Sequence, residues 1–304
     1  MSKNSKAIYY VYMFLVVAIW SVSPLFTKAF FDYYSATAYN LMCSIVNAVC
    51  FTLLSVKKFN LLNKQYFKVA VVTGACYALA CISQKIGLQY TTPSMYAFLE
   101  NTSCIIVPIL MFVMFKKKPC LPVAIASVIC LVGCFVLSGG SLTGGFGIGN
   151  ILCALAGALY AGNIVGTGMY AKNMDTILYL MIQKWVSVIM SAVFMLGLHY
   201  IRPGGEALEY IQFTFDIKII ALLVFVNLIV GCLCWVLRTV AVTKIDVTVV
   251  TIVMSTPAVF TTIISVVMGL DALTLSLVAG ATLIFGAVVL SSLGDALSAK
   301  KKIQ

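Results

Sequence analysis

The sequence predicts an all-α polytopic membrane protein, with ten transmembrane helices arranged as two inverted five-helix repeats and both termini cytoplasmic. Three observations carry that expectation: composition, the placement of lysine and arginine, and a recurrence between the halves. Of the 304 residues, 62% are hydrophobic and only 10% charged, and the mean hydropathy is +1.07. No soluble domain of this size keeps so little polar surface. Apolar runs of about 20 residues, the length that crosses a ~30 Å hydrocarbon core, recur from end to end. The short alternating strands of a membrane barrel are not found.

Taken in order, the spans are read at 8–31, 34–56, 67–89, 93–115, 120–138, 148–170, 177–200, 217–239, 247–268 and 273–293. The opening MSKNSK followed by an apolar run resembles a cleaved leader. That run is too long, lacks a small-residue cleavage site and carries Lys28 and Asp32 at its far end, so it is read as a retained first span. Residues 82–115 read as helix, a very short turn at Thr91-Thr92-Pro93, then helix, with Pro93 in the first turn, where its missing N–H breaks no bond. On the sixth span Ala154, Ala158, Gly162 and Gly166 recur every four residues, a pattern that lets helix backbones approach closely. Pro108 and Pro257, in the fourth and ninth spans, are expected to kink them. The uncharged stretch GGSLTGGFG at 139–147 is the natural joint, giving repeats of 1–143 and 144–304.

With the N-terminus in the cytoplasm, fourteen lysines fall in inside segments, and only Arg202 and Lys218 fall outside. Lys28, Lys85, Lys184 and Arg238 lie within spans. The positive-inside rule is thus obeyed through all ten crossings. The net charge of +11 follows from topology and points to anionic headgroups, not to nucleic acid. The recurrence runs at an offset of 153 residues: Lys85 falls on Arg238, the turn Thr92-Pro93 on Ile245-Asp246, and Gly133, Leu137 and Ser138 on Gly286, Leu290 and Ser291. A weaker match at 140 links Ala18, Trp20 and Ser21 to Ala158, Tyr160 and Ala161. Five spans is an odd number, so the second repeat lies inverted relative to the first, as in many secondary transporters.

Glu100 is the sharpest site candidate. It lies about eight residues, or ~12 Å, inside an apolar helix, where an ionised carboxylate is expensive. Two readings stay open: exchange of a proton during transport, or a static role, paired with Lys85 or Lys28 or bonded to a neighbouring helix. Tyr96, one turn earlier, and Asn101 belong to the same polar cluster. Lys85 and Arg238 form a symmetric cationic pair near opposite mouths, suited to an anionic or zwitterionic solute or, alternatively, to snorkelling. Lys28 and Lys184 are read as snorkelling, with Lys28 also within reach of the site. Trp20 and Tyr160 are read as either packing or substrate contacts.

The eleven cysteines lie nearly all inside spans, where they act as small hydrophobes, and the lone His199 has no companion cluster. No metal site, cofactor motif or nucleotide-binding loop is found.

The early tryptophan in VVAIWSVSPLFTKAFF, then GLQYTTPSMYAFLENTSCIIVPIL, AVTKIDVTVVTIVMSTPAVFTTIISVVMGLDALT and the closing GATLIFGAVVLSSL, resemble the drug/metabolite transporter superfamily, and within it the EamA-like ten-span family. The chain departs from that family's Gly-Glu pair, having Phe115-Lys116 and Gly269-Leu270-Asp271 at those places, and Glu100 lies on none of its motifs. The resemblance implies export or uptake of small metabolites or drugs by alternating access. The expectation is a secondary transporter in the cell membrane that exports a small polar metabolite, with no catalytic residues and no cofactor, open to proton coupling and to a homodimer. Competing readings are a membrane-embedded enzyme and a non-transporting partner subunit.

Overall fold

The computed structural model describes residues 3–91, 93–137, 147–200, 211–267 and 274–301. Every regular element among them is helical. The first half contains α1 (Lys3–Trp20), α2 (Ser23–Phe30), α3 (Ala36–Ser55), α4 (Lys64–Gln89), α5 (Pro93–Glu100), α6 (Ser103–Phe115) and α7 (Leu121–Leu137). The second contains α8 (Ile148–Tyr170), α9 (Thr176–Tyr200), α10 (Ile217–Asn227), α11 (Cys234–Lys244), α12 (Val247–Val253), α13 (Thr256–Val267) and α14 (Leu275–Lys301). A 3₁₀ segment, Val56–Leu61, extends α3, and a π-helical segment, Leu228–Leu233, joins α10 to α11.

Six stretches among the described residues are long and apolar enough to cross a membrane, and four shorter apolar helices accompany them. Together they occupy the ten segments expected from hydropathy. Large apolar side chains such as Phe14, Leu53, Val72, Val113, Ile189 and Phe225 are exposed around the bundle. Lipid accepts such a face, whereas water would drive it to aggregate. The chain is an all-α integral membrane protein. The 139–147 joint lies outside the described residues except at Gly147, as do Thr92, Ser138, Arg202 and Gly269-Leu270-Asp271.

Three of the segments are broken, and each break has a local cause. The first is interrupted after Trp20, the fourth at Asn101-Thr102 and the ninth at Met254-Ser255. Pro24 and Pro257 fall at the second positions of α2 and α13, where proline suits a new helix but ends the one before it. At each break a hydroxyl adds a bond to a carbonyl of the preceding turn. Ser21 Oγ donates to the Val17 carbonyl at 2.6 Å, Thr102 Oγ1 to Leu99 at 2.7 Å and Thr256 Oγ1 to Val253 at 2.7 Å. Asp246 caps α12 by accepting from the amides of Thr248 and Val249.

Side-chain and backbone bonds show which connections share an end of the bundle. Lys58, just past α3, pairs with Asp175 in the α8–α9 turn at 2.7 Å, and the Asp175 amide donates to Tyr66 Oη at 2.7 Å. At the other end Thr91 bonds Asn150, and the Ser35 amide donates to Gln212. Between these ends α4 packs along α8 and α9, α3 along α9, α7 along α14 and α1 along α11.

Candidate functional site

A cavity of about 220 Å³ lies where α2, α3, α4, α5, α8 and the α10–α11 segment converge. That is below the roughly 300–1,000 Å³ of drug-sized sites, so it suits a small solute. Asn40, Asn47, Asn227 and Ser44 line its α3 and α10 sides. Trp20, Tyr39, Tyr77, Tyr96, Tyr160 and Trp235 supply aromatic walls, and Lys85, Glu100 and Arg238 supply the charges.

Of the expected residues, Glu100, Lys85, Arg238, Tyr96, Asn101, Trp20 and Tyr160 all line this cavity. Lys28 does not. It is exposed and lines a separate surface recess with Phe31, Gln89 and Tyr90, with only Leu88 shared between recess and cavity.

Glu100 ends α5, and its carboxylate is held by neutral donors, not by a cation. Gln84 Nε2 donates to Glu100 Oε2 at 3.2 Å and also contacts Tyr96 Oη. Tyr160 Oη donates to Gln84 Oε1 at 2.9 Å and lies 3.2 Å from Cys81 Sγ. Gln84 thus ties α4, α5 and α8 together around the carboxylate. The expected pairing of Glu100 with Lys85 or Lys28 is not observed among the described residues. Lys85 instead places Nζ 4.3 Å from the centre of the Tyr39 ring.

Arg238 was expected near a mouth and is instead 3% exposed, on the floor of the cavity. Its guanidinium lies 4.5 Å from the centre of the Trp235 ring, and Nη1 and Nη2 both reach Asn163 Oδ1 at 3.4 Å. Lys184 corrects the snorkelling expectation outright. It is fully buried, with Nζ 3.8 Å from the Tyr77 ring and 4.1 Å from the Trp235 ring, and Nζ has no hydrogen-bond acceptor among the described residues. The reason is depth: Lys184 sits more than two turns into α9, on the face that meets α3 and α4.

Below Arg238 the bundle is closed by a polar network. Asn163 Nδ2 donates to the Thr73 carbonyl at 3.0 Å. Tyr179 Oη and Gln183 Nε2 both donate to Thr73 Oγ1, at 2.8 and 2.9 Å, and Thr167 lies 2.8 Å from Tyr179 Oη. This joins α4, α8 and α9 on the side that leads to the Lys58–Asp175 pair.

Two features of the backbone shape the site. An added Cβ at Gly157 would lie 2.8 Å from the Leu99 and Glu100 carbonyls, so only glycine lets α8 seat the end of α5. The π-helical turn at Leu228–Leu233 frees the Val230 carbonyl, which accepts from Trp20 Nε1 at 3.0 Å. Trp20 then packs 5.5 Å from Trp235, centre to centre. Gln84, Asn163, Tyr77 and Trp235 were not singled out from sequence. Gln84, adjacent to Lys85 inside an apolar run, was the available signal.

The model of the EamA-like transporter family matches residues 7–139. No curated protein matches the chain. Among solved structures, one crystal structure of a protein 15% identical superposes with a TM-score of 0.72, covering 97% of this chain and 99% of that one. At that identity the likeness speaks for the fold alone.

Proposed function

We propose, from the match of residues 7–139 to the EamA-like transporter family model, that the chain is a secondary transporter carrying a small polar solute, anionic or zwitterionic, across the cell membrane by alternating access, in the direction of export. The observation that carries this reading is the small cavity, walled by aromatic rings and floored by Arg238, enclosed within an apolar bundle.

In this reading the chain crosses the membrane ten times, in two inverted repeats of five. Two further observations support it. At the offset of 153, the last residue of α5, Glu100, falls on the last residue of α12, Val253, and the first of α6, Ser103, on the first of α13, Thr256. The breaks in the fourth and ninth segments are thus in register. The main helix contacts are also kept when the halves are exchanged. Packing of α4 on α8 becomes packing of α11 on α1, that of α6 on α8 becomes that of α13 on α1, and the α3–α9 and α7–α14 contacts map onto themselves. A molecule with this symmetry has two related states, one open to each side. The Lys58–Asp175 end is cytoplasmic, by the lysine distribution.

Glu100 is the proton-coupling residue of this reading, since it is a cavity carboxyl bound only by groups that tolerate either protonation state. The test is uptake from a mixed metabolite pool into proteoliposomes, read by mass spectrometry, with and without a proton gradient. Enrichment of a few solutes over empty liposomes is expected. Absence of any enrichment by folded protein inserted both ways round would overturn the transporter reading.

A further inference from the structure

The charges around the cavity do not balance. Glu100 is the only acidic residue among the described residues that line it, and its carboxylate is already held by Gln84. Against it stand Lys85 and Arg238 in the wall and Lys184 behind the Tyr77 and Trp235 rings. No carboxylate lies within ion-pair distance of these three cations among the described residues.

Arg238 shows what is missing. A guanidinium is a planar fork that matches the two oxygens of a carboxylate or phosphate, with charge-assisted bonds of about 2.7–2.9 Å. Here both prongs share one amide oxygen at 3.4 Å, and the remaining contact is the Trp235 ring. The fork is buried, rigidly placed and weakly satisfied, and it faces the cavity.

A zwitterion would leave the net charge of the site unchanged, and a cation would increase the imbalance. An anion reduces it. We propose that the solute carries net negative charge, with a carboxylate or phosphate group seated on the Arg238 fork and its apolar body against the aromatic walls. We also infer that the carrier exchanges such anions far faster than it moves them one way. The second statement follows from the first. Closing the cavity around unpaired cations in a low-dielectric bundle is costly, and a bound anion removes that cost, so the loaded form reorients readily and the empty form does not. This inference rests on the transporter reading above and narrows its substrate class.

The experiment uses the full chain in proteoliposomes, with a small-molecule extract of cells as the probe, and each enriched species is scored by its net charge at pH 7. Anions are expected to dominate. Preloading the lumen with the enriched anion is expected to speed its uptake by about tenfold or more. Arg238→Gln is expected to lower anion uptake by about tenfold or more, with partial recovery in Arg238→Lys. Should Arg238→Gln fail to fold, Lys85→Gln serves, with a smaller loss confined to anions. Enrichment only of zwitterionic, neutral or cationic species would overturn the anion assignment while leaving the transporter reading intact. Equal rates into empty and preloaded vesicles would overturn the exchange inference. No enrichment of any species, in vesicles left empty or preloaded with the extract, would overturn both this inference and the transporter reading.

Discussion

Glu100 and Lys184 are the two residues at which burial matters most, and they were not equally legible. Hydropathy alone places Glu100 inside a span, and the structure puts it in the cavity wall at the end of α5. Its partners were hidden, because Gln84 and Tyr160 come from α4 and α8, and no spacing rule brings those helices together. Lys184 was misplaced because snorkelling depends on how far the side chain lies from the headgroups, and on which face. Its face is covered by α3 and α4, so the ammonium rests on aromatic rings instead of reaching water. If Glu100 carries the coupled proton, Glu100→Gln should leave solute exchange at equilibrium intact while removing its stimulation by a proton gradient. Proteoliposome uptake with and without the gradient checks this; stimulation equal to that of the unaltered protein would assign Glu100 a structural role.

At the scale of elements, the six membrane-length stretches could be read from the sequence because the ~30 Å of hydrocarbon fixes their length, and the four shorter apolar helices could be read from composition. Their interruptions could not. Pro108, expected to kink the fourth segment, lies inside α6, whereas the break falls at Asn101-Thr102, where the Thr102 amide and hydroxyl both bond the Leu99 carbonyl. What fixes that break is Gly157 on α8, whose missing side chain admits the Leu99 and Glu100 carbonyls. Gly157→Ala should therefore destabilise the protein by about 1–3 kcal/mol, the usual cost of overpacking, and slow transport. Gly197→Ala is the matched control. An added Cβ there meets nothing within 4 Å, so it should be neutral or slightly stabilising. Thermal unfolding of both variants in detergent compares them, and equal behaviour would show that the α5–α8 seat yields easily.

The Lys58–Asp175 pair belongs to the same scale, since it ties the end of α3 to the turn between α8 and α9. Burial alone would raise the Asp175 carboxyl, but Lys58 and the amides of Leu178 and Ile177 outweigh it and hold the carboxyl below its usual range. A carboxyl lowered in the folded state stabilises above its unfolded value, near about 4, and loses that contribution as pH falls through the lowered folded value. The pair is thus intact at neutral pH and is lost only in strong acid. Because it is partly exposed, its contribution is at most about 1 kcal/mol. Detergent-solubilised protein should lose this increment of thermal stability below about pH 4, and Asp175→Asn should lack that step.

For the whole molecule, the open question is which seam moves. The cavity reaches the end marked by Leu88 and Tyr96, and the other end is closed by the Thr73–Tyr179–Gln183 network. Exchange of the halves maps the closed α4–α8 seam onto the seam between α11 and α1. In the alternating-access cycle we propose, the first seam opens as the second closes. Cys76 on α4 offers a way to hold the first one shut. A Cβ built at Gly162 on α8 lies 3.6 Å from Cys76 Sγ, against about 3 Å across a disulfide, so a small shift of the side chains lets the bond form. Gly162→Cys should therefore cross-link to Cys76 on oxidation and arrest transport, with recovery on reduction, while Gly162→Ser stays active throughout. Mass spectrometry of the linked peptides establishes the bond, and solute flux reads its effect. Full flux through a cross-linked carrier would mean that α4 and α8 travel as one body, and the motion would have to be sought along the α3–α9 contact instead.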